Sequence, residues 1–157
     1  MHITFAPRGI LQIDDARLTF KNFEGREDKF NRKGDRNFAL VVESQEDADR
    51  LVEDGWNVKI RPPREEGEEP FMYLPVKIKF NDRGPRVRLR TGDVENRLDE
   101  ETIGELDYID ILNVDLDIRP YDWEVNGKVG RTAYLQEIYV VQKEDRFAKK
   151  YSDDLPY

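Results

Sequence analysis

Between residues 71 and 90 the chain alternates cations and rings with apolar side chains. In Phe71-Met72-Tyr73-Leu74-Pro75-Val76-Lys77-Ile78-Lys79-Phe80 every even position is apolar, and in Arg86-Val87-Arg88-Leu89-Arg90 every odd one is. Alternation with period two marks a strand with one buried face. If Met72, Leu74, Val76, Ile78, Phe80, Val87 and Leu89 face a core with Val58 and Ile60, their neighbours face out. Those neighbours are Lys59, Arg61, Phe71, Tyr73, Lys77, Lys79, Arg86, Arg88 and Arg90. Cations track phosphates, and exposed rings stack on bases of any sequence, so such a face suits a single-stranded nucleic acid. The same pattern also serves simply to solvate a strand or protect a sheet edge.

A second concentration of rings and cations surrounds a turn: Arg119, Tyr121, Trp123, Lys128, Arg131 and Tyr134, with Asn126-Gly127 as the turn signal. A protruding hairpin of this kind could clamp a strand. Tyr121 and Trp123 could equally pack as a minor core, since Trp is usually buried. Trp56 follows a helix stop in phase with Val58 and Ile60 and is expected in the core. Phe30, between Lys29 and Arg32, is a third candidate contact.

Catalysis finds few candidates. There is no cysteine, which excludes disulfides, thiolate nucleophiles and zinc–thiolate sites. The one histidine, His2, adjoins the initiator Met, which removes most imidazole-based acid–base chemistry. Asp115 and Asp117 share a strand face and Asp14-Asp15 are adjacent, so a hard metal is conceivable. With 34 acidic residues, however, paired acids are expected by chance. No phosphate-cradling glycine loop and no nucleophile elbow is present. The reading is a non-enzymatic protein without cofactor or metal.

Charge is unevenly placed. Residues 71–90 hold six cations and one acid, Asp82, for a local charge of +5, whereas the whole chain carries −8. The remainder is therefore at −13, which disfavours indiscriminate phosphate binding and makes the basic stripe more selective. No run of 18 apolar residues and no signal-peptide pattern is present, so no membrane association and a cytoplasmic location are expected.

A mainly β scaffold must position these groups. Leu18 to Phe23 and Phe38 to Val42 are predicted strands, joined by a polar, basic segment, Glu24 to Arg36, read as a mobile loop or long hairpin connection. A helix is predicted over Ser44 to Asp54, with Ser44 as N-cap, Ala48, Leu51 and Val52 inward and Gly55 as stop. Trp56 to Arg61 is a half-buried strand. Asn81 to Pro85 is a turn predicted to join the two basic strands as an antiparallel hairpin. A second helix is predicted over Asp99 to Ile109, with Ile103, Leu106 and Ile109 inward. Leu112 to Ile118 and Ala133 to Val141 then form another long hairpin. Many short strands with two short helices suit a β-barrel of the five-stranded Greek-key OB type with additional hairpins, and a sandwich is the alternative.

With those residues in place, the chain resembles a family of bacteriophage-encoded single-stranded DNA-binding proteins with an OB-fold. The resemblance is carried by Asn22-Phe23-Glu24-Gly25-Arg26-Glu27, Asn31 to Asn37, and Asp54-Gly55-Trp56-Asn57-Val58-Lys59. It continues through Pro63-Arg64-Glu65-Glu66-Gly67 and Tyr73-Leu74-Pro75-Val76. Its most distinctive run is Asp117-Ile118-Arg119-Pro120-Tyr121-Asp122-Trp123-Glu124-Val125-Asn126-Gly127, followed by Ala133-Tyr134-Leu135. Membership implies coating and protection of single-stranded DNA during phage replication or recombination, in the host cytoplasm, with the aromatic and basic surface residues as contacts.

The ending Asp153-Asp154-Leu155-Pro156-Tyr157 resembles the acidic C-terminal tip of single-stranded DNA-binding proteins, which recruits partner enzymes. It departs from that pattern in carrying Tyr157 where such tips end in Phe, so a partner pocket must also accommodate a phenol oxygen. The organisation expected is an OB-fold domain over residues 1–142 and a flexible acidic tail over 143–157, as a monomer or homodimer. The competing functional class is a protein-binding module or inhibitor that turns the same basic face to an acidic partner, and a third is a structural phage component.

Overall fold

The computed structural model describes residues 1–144. It is mainly β: ten strands, one α-helix and two short 3-10 turns. The strands are β1 (His2–Phe5), β2 (Leu11–Asp14), β3 (Leu18–Asn22), β4 (Arg36–Val42), β5 (Lys59–Arg61) and β6 (Phe71–Ile78), then β7 (Arg86–Thr91), β8 (Val94–Leu98), β9 (Ile111–Val125) and β10 (Lys128–Gln142). The helix, α1, spans Gln45–Asp54, and the 3-10 turns span Pro7–Gly9 and Ile103–Asp107. The tail expected beyond the domain, including Asp153, Asp154, Leu155, Pro156 and Tyr157, lies outside the described residues from 145 onward.

The strands form one large open mixed sheet with main path β1-β2-β9-β10-β6-β4-β3. Alternation sets its inner face. Phe38, Leu40, Leu74, Val76, Ile78, Val87, Leu89, Val114, Leu116, Ile118, Leu135, Ile138 and Val140 are all buried in one core. Phe23 and Phe38 stack within it at 5.3 Å between centroids. The β2–β3 connection turns at Asp15, which has φ 52°. Just past that turn Ala16 N donates to Val114 O (2.8 Å), and Val41 N donates to Arg17 O (2.9 Å).

α1 matches its sequence signals. The Ser44 hydroxyl accepts from Asp47 N (3.1 Å), and Gly55 ends the helix at φ 105°. Trp56 is buried, donating its indole N–H to Asp54 (2.9 Å).

Four expectations are corrected. Val52 and Ile60, expected inward, are 57% and 60% exposed. For Ile60 the reason is that β5 is a three-residue strand that pairs only with β6 among the described residues. The second helix contracts to the 3-10 turn Ile103–Asp107, although Ile103 and Leu106 are buried as expected. The largest change concerns β6 and β7, which are not a hairpin. Asn81 and Gly84 pair across the turn, and the chain resumes in the same direction. Both strands then lie parallel to β10, with Val76–Lys77 beside Ala133–Tyr134 and Arg86–Arg90 beside Glu137–Val141. β7 takes β8 as its antiparallel neighbour.

Candidate nucleic-acid interface

The outward face of β6 begins with Phe71 and Tyr73, both half-buried, with ring centroids 5.6 Å apart. Phe20 completes a triad, edge-on to Phe71 at 6.0 Å and to Tyr73 at 5.5 Å. Phe20 has φ 50° and stands where the β3–β4 register slips between Thr19 and Asn22. This bulge leaves its ring 54% exposed on the outer side. Sequence reasoning placed Phe20 in a strand but could not orient it, because a bulge breaks the period on which orientation depends.

β5 adds the cations beside this triad. Lys59 is paired with Tyr73 and Arg61 with Phe71, and the Arg61 guanidinium lies 4.9 Å from the Phe71 centroid. Further along β6, Lys77 neighbours Tyr134 on β10, and Tyr134 is paired with Arg119 on β9. Arg119 covers the Tyr134 ring at 4.8 Å, and Lys79 approaches it at 5.9 Å. Tyr121 meets Tyr134 edge-on at 6.2 Å.

From there β9 and β10 run outward as an arm around Asn126-Gly127. Cross-strand pairs share a face, so Arg119/Tyr134, Tyr121/Thr132, Trp123/Gly130 and Val125/Lys128 continue a single surface. Tyr121 is 55% and Trp123 38% exposed, while Lys128 is fully on the surface. Trp123 is anchored by its indole N–H, which donates to Thr132 Oγ1 (3.2 Å). It is therefore neither a core residue nor a free one: one ring face rests on the arm.

The result is a strip from Phe20, Phe71 and Tyr73 through Lys77, Lys79, Arg119 and Tyr134 to Tyr121 and Trp123. Among the described residues, no carboxylate lies within salt-bridge distance of Lys59, Arg61, Lys77, Lys79, Arg119 or Lys128. Their charge is left for a ligand, and cations over rings present both phosphate partners and stacking faces.

The segment 24–36 walls one side of an open cleft of about 830 Å³, lined by Phe20, Phe30, Arg36, Tyr73, Pro75 and Lys77 among others. The sequence allowed a mobile loop or a long hairpin connection here, and the structure shows the segment hydrogen-bonded to the body. Gly34 N donates to Gly25 O (2.8 Å) at its neck, where a Cβ on Gly25 would stand 3.1 Å from the Gly34 backbone. The buried Asn22 accepts from Gly25 N (3.0 Å) and Arg26 N (2.9 Å). Asp107 accepts from Phe23 N (2.9 Å) and Glu24 N (3.0 Å), and Tyr108 donates to Glu24. Asn31 donates to the carbonyls of Arg26 (2.8 Å), Arg32 (3.0 Å) and Asp35 (2.9 Å). Phe30 is held out on this frame, 91% exposed, near Lys29 at 5.7 Å.

Not every sequence-predicted cation joins the strip. Arg86 and Arg88 both reach Glu137 at 3.5 Å, and Arg90 Nε donates to Gly92 O (2.9 Å). They sit at the far end of β10, away from β6. Arg131 braces the arm instead: it donates to Asp122 (2.6 and 3.2 Å) and to Asp54 O (2.6 Å), and covers Trp56 at 5.0 Å. Two candidate sites that sequence reasoning did not select, Arg36 and Asn37, line the cleft because β4 borders β6.

Paired acids gather elsewhere. Asp117 and Glu137 are cross-strand partners, and Asp115 is a partner of Tyr139. Burial, then Glu137 and Asp14, push the Asp117 carboxyl above its usual range. Among the described residues, no group of three or more metal-ligating side chains is assembled.

Comparison with known proteins fits this geometry. The family model for the phage ssDNA-binding domain matches residues 3–157. No curated protein sequence matches. Solved structures similar in fold include three of the single-stranded DNA-binding protein from bacteriophage Enc34. The form in complex with ssDNA is 12% identical with a TM-score of 0.60, covering 93% of each chain. A second structure of that protein is 11% identical with a TM-score of 0.57, covering 94% of this chain and 88% of that one. Its C-terminal truncation is 12% identical with a TM-score of 0.56, covering 91% of each.

Proposed function

The chain belongs to the phage ssDNA-binding domain family, and from that premise we propose that it binds and coats single-stranded DNA without marked sequence preference. The observation that carries this reading is the placing of cations that have no carboxylate partner among the described residues over half-buried rings of the outer face: Arg61 on Phe71 and Arg119 on Tyr134. Stacking on Phe20, Tyr73, Tyr121 and Trp123 supplies base-independent affinity, while Lys59, Lys77, Lys79 and Lys128 follow the phosphates. No catalytic step and no cofactor is needed. The protein acts in phage replication or recombination, in the host cell cytoplasm, as a monomer or homodimer.

We propose further that this open sheet is a variant of the Greek-key barrel of the OB type. Supporting this, the short β2–β3 connection bonds to both neighbouring strands: Ala16 N donates to Val114 O on β9, and Val41 N on β4 donates to Arg17 O. The Asp153 to Tyr157 tip serves partner recruitment. Its acids compete with phosphate for the basic face, so deleting residues 152–157 tightens DNA binding; unchanged or weaker binding refutes the competition.

A fluorescence titration with oligo-dT at low and high salt tests the main reading. Binding is expected at low salt and falls steeply as salt rises. No binding at low salt overturns it and favours a protein-binding module. Equal affinity for duplex reduces it to general DNA binding.

A further inference from the structure

The arginines of β7 form a surface of their own with those of β8 and the preceding turn. Arg88 stands directly opposite Arg97 in the β7–β8 ladder, where like charges destabilise a sheet. Glu137 engages Arg86 and Arg88 from one side. Among the described residues, neither Arg83 nor Arg97 has a carboxylate within salt-bridge distance. Arg83, Arg86 and Arg97 line a single open cleft of about 560 Å³, where they outnumber its two acids, Asp82 and Asp99. All five cations of this surface, with Arg88 and Arg90, are arginines, whereas the strip relies largely on lysine. A guanidinium presents a planar fork that matches phosphate oxygens, and a solvated strand face has no need of arginine set against arginine.

We infer that the β7–β8 arginine face is a second binding surface, which takes the phosphodiester backbone of the flanking stretch of the same single strand without stacking its bases. This rests on the single-stranded DNA reading above. β10 links the two surfaces: Tyr134 belongs to the strip, and Tyr139 lies under Arg88 at 4.9 Å. The step from Tyr134 to Tyr139 spans about 16 Å at roughly 3.3 Å per residue. Between them stand Asp117 and Glu137, cross-strand partners on the outer side. Glu137 is neutralised by Arg86 and Arg88, but Asp117 has no cation within salt-bridge distance among the described residues and repels phosphate, so the strand leaves the strip before it meets the arginines. A short oligonucleotide fills the strip alone, and only a longer one reaches both surfaces.

The test compares the wild-type protein with Arg83→Ala/Arg97→Ala, a pair whose removal breaks no ion pair among the described residues. Affinity is measured against salt for oligo-dT of about 8 and about 40 nucleotides, the longer one well above the roughly 4–16 nucleotides bound by one fold of this type. The double variant is expected to match wild type on the short oligomer. On the long one its salt slope falls by about 1.4, roughly 0.7 for each single-strand phosphate that is no longer neutralised. Equal weakening on both lengths, or none on either, overturns the inference. So does unchanged DNA binding accompanied by lost self-association in sedimentation, which would make the face a protein contact. Wild-type protein that binds neither length instead overturns the parent reading, a distinguishable result.

Discussion

The indole of Trp123 lies across Gly130, its cross-strand partner on the arm, so closely that a Cβ on Gly130 would stand 2.7 Å from Trp123 Cε2. Glycine is required there for space. Gly130→Ala is expected to lift the ring from the arm and weaken DNA binding to the extent that Trp123→Ala does, about 1–3 kcal/mol if one base stacks on it. Because Trp56 is buried, fluorescence quenching by oligo-dT should come from Trp123 and vanish in Trp123→Phe. Quenching that persists there would place the stacked base elsewhere.

Tyr73 stands at the centre of the strip, in contact with Phe20 and Phe71 and beside Lys59. Tyr73→Ala should cost about 1–3 kcal/mol of DNA affinity. Its ring pairs with Phe20 and Phe71 are worth about 0.5–1.5 kcal/mol each at most, which bounds their share of the stability cost. Titration and thermal melting of the same variant separate these effects. Reduced stability with unchanged affinity would make the triad purely structural.

Arg131 joins the arm to the end of α1 through Asp122 and Asp54 O. Its side chain is 19% exposed but that of Asp122 is 65% exposed, so solvent screens the pair and Arg131→Ala should cost about 1 kcal/mol of stability. The same guanidinium holds the Asp122 carboxyl below its usual range. A carboxyl depressed on folding stabilises above its unfolded value, and that contribution is lost as pH falls through the folded value. Asp122→Asn should therefore lower the melting temperature at neutral pH and lose its effect in strong acid. A pH-independent deficit would contradict the pairing.

Asp117 has the opposite sign. Burial, with Glu137 and Asp14, raises its carboxyl above the ordinary 3.8. Its contribution is full below that unfolded value and lost as pH rises through the folded one. Asp117→Asn is thus expected to stabilise at neutral pH and to lose the advantage in acid, below the ordinary carboxylate range. Thermal melts across that range decide it, and destabilisation at neutral pH would refute the repulsion.

Much of the local structure was legible. Ser44 and Gly55 bound α1, Asn126-Gly127 placed the arm, and the inward positions Met72, Leu74, Val76 and Ile78 of β6 followed its alternation, because each signal acts within a few residues. Phe71 and Tyr73 were correctly set outward for the same reason. Ile60 and Val52 were misread, since alternation and helical periodicity imply burial only where another layer covers the apolar side. Phe20 was missed because its orientation comes from a bulge.

The amino-acid sequence by itself determined which side chains share a strand face, where the chain turns, and that cations would alternate with apolar residues beside Phe71 and Tyr73. Only the tertiary structure decided which strands are neighbours. It carried Arg86, Arg88 and Arg90 off the strip to a separate surface with Arg97, brought Phe20 onto Tyr73, and committed Arg131 to Asp122. Side-chain alternation is a property of one strand's own pleat, whereas pairing depends on contacts between segments far apart in the chain, and β10 selects β6 and β7 from across the molecule.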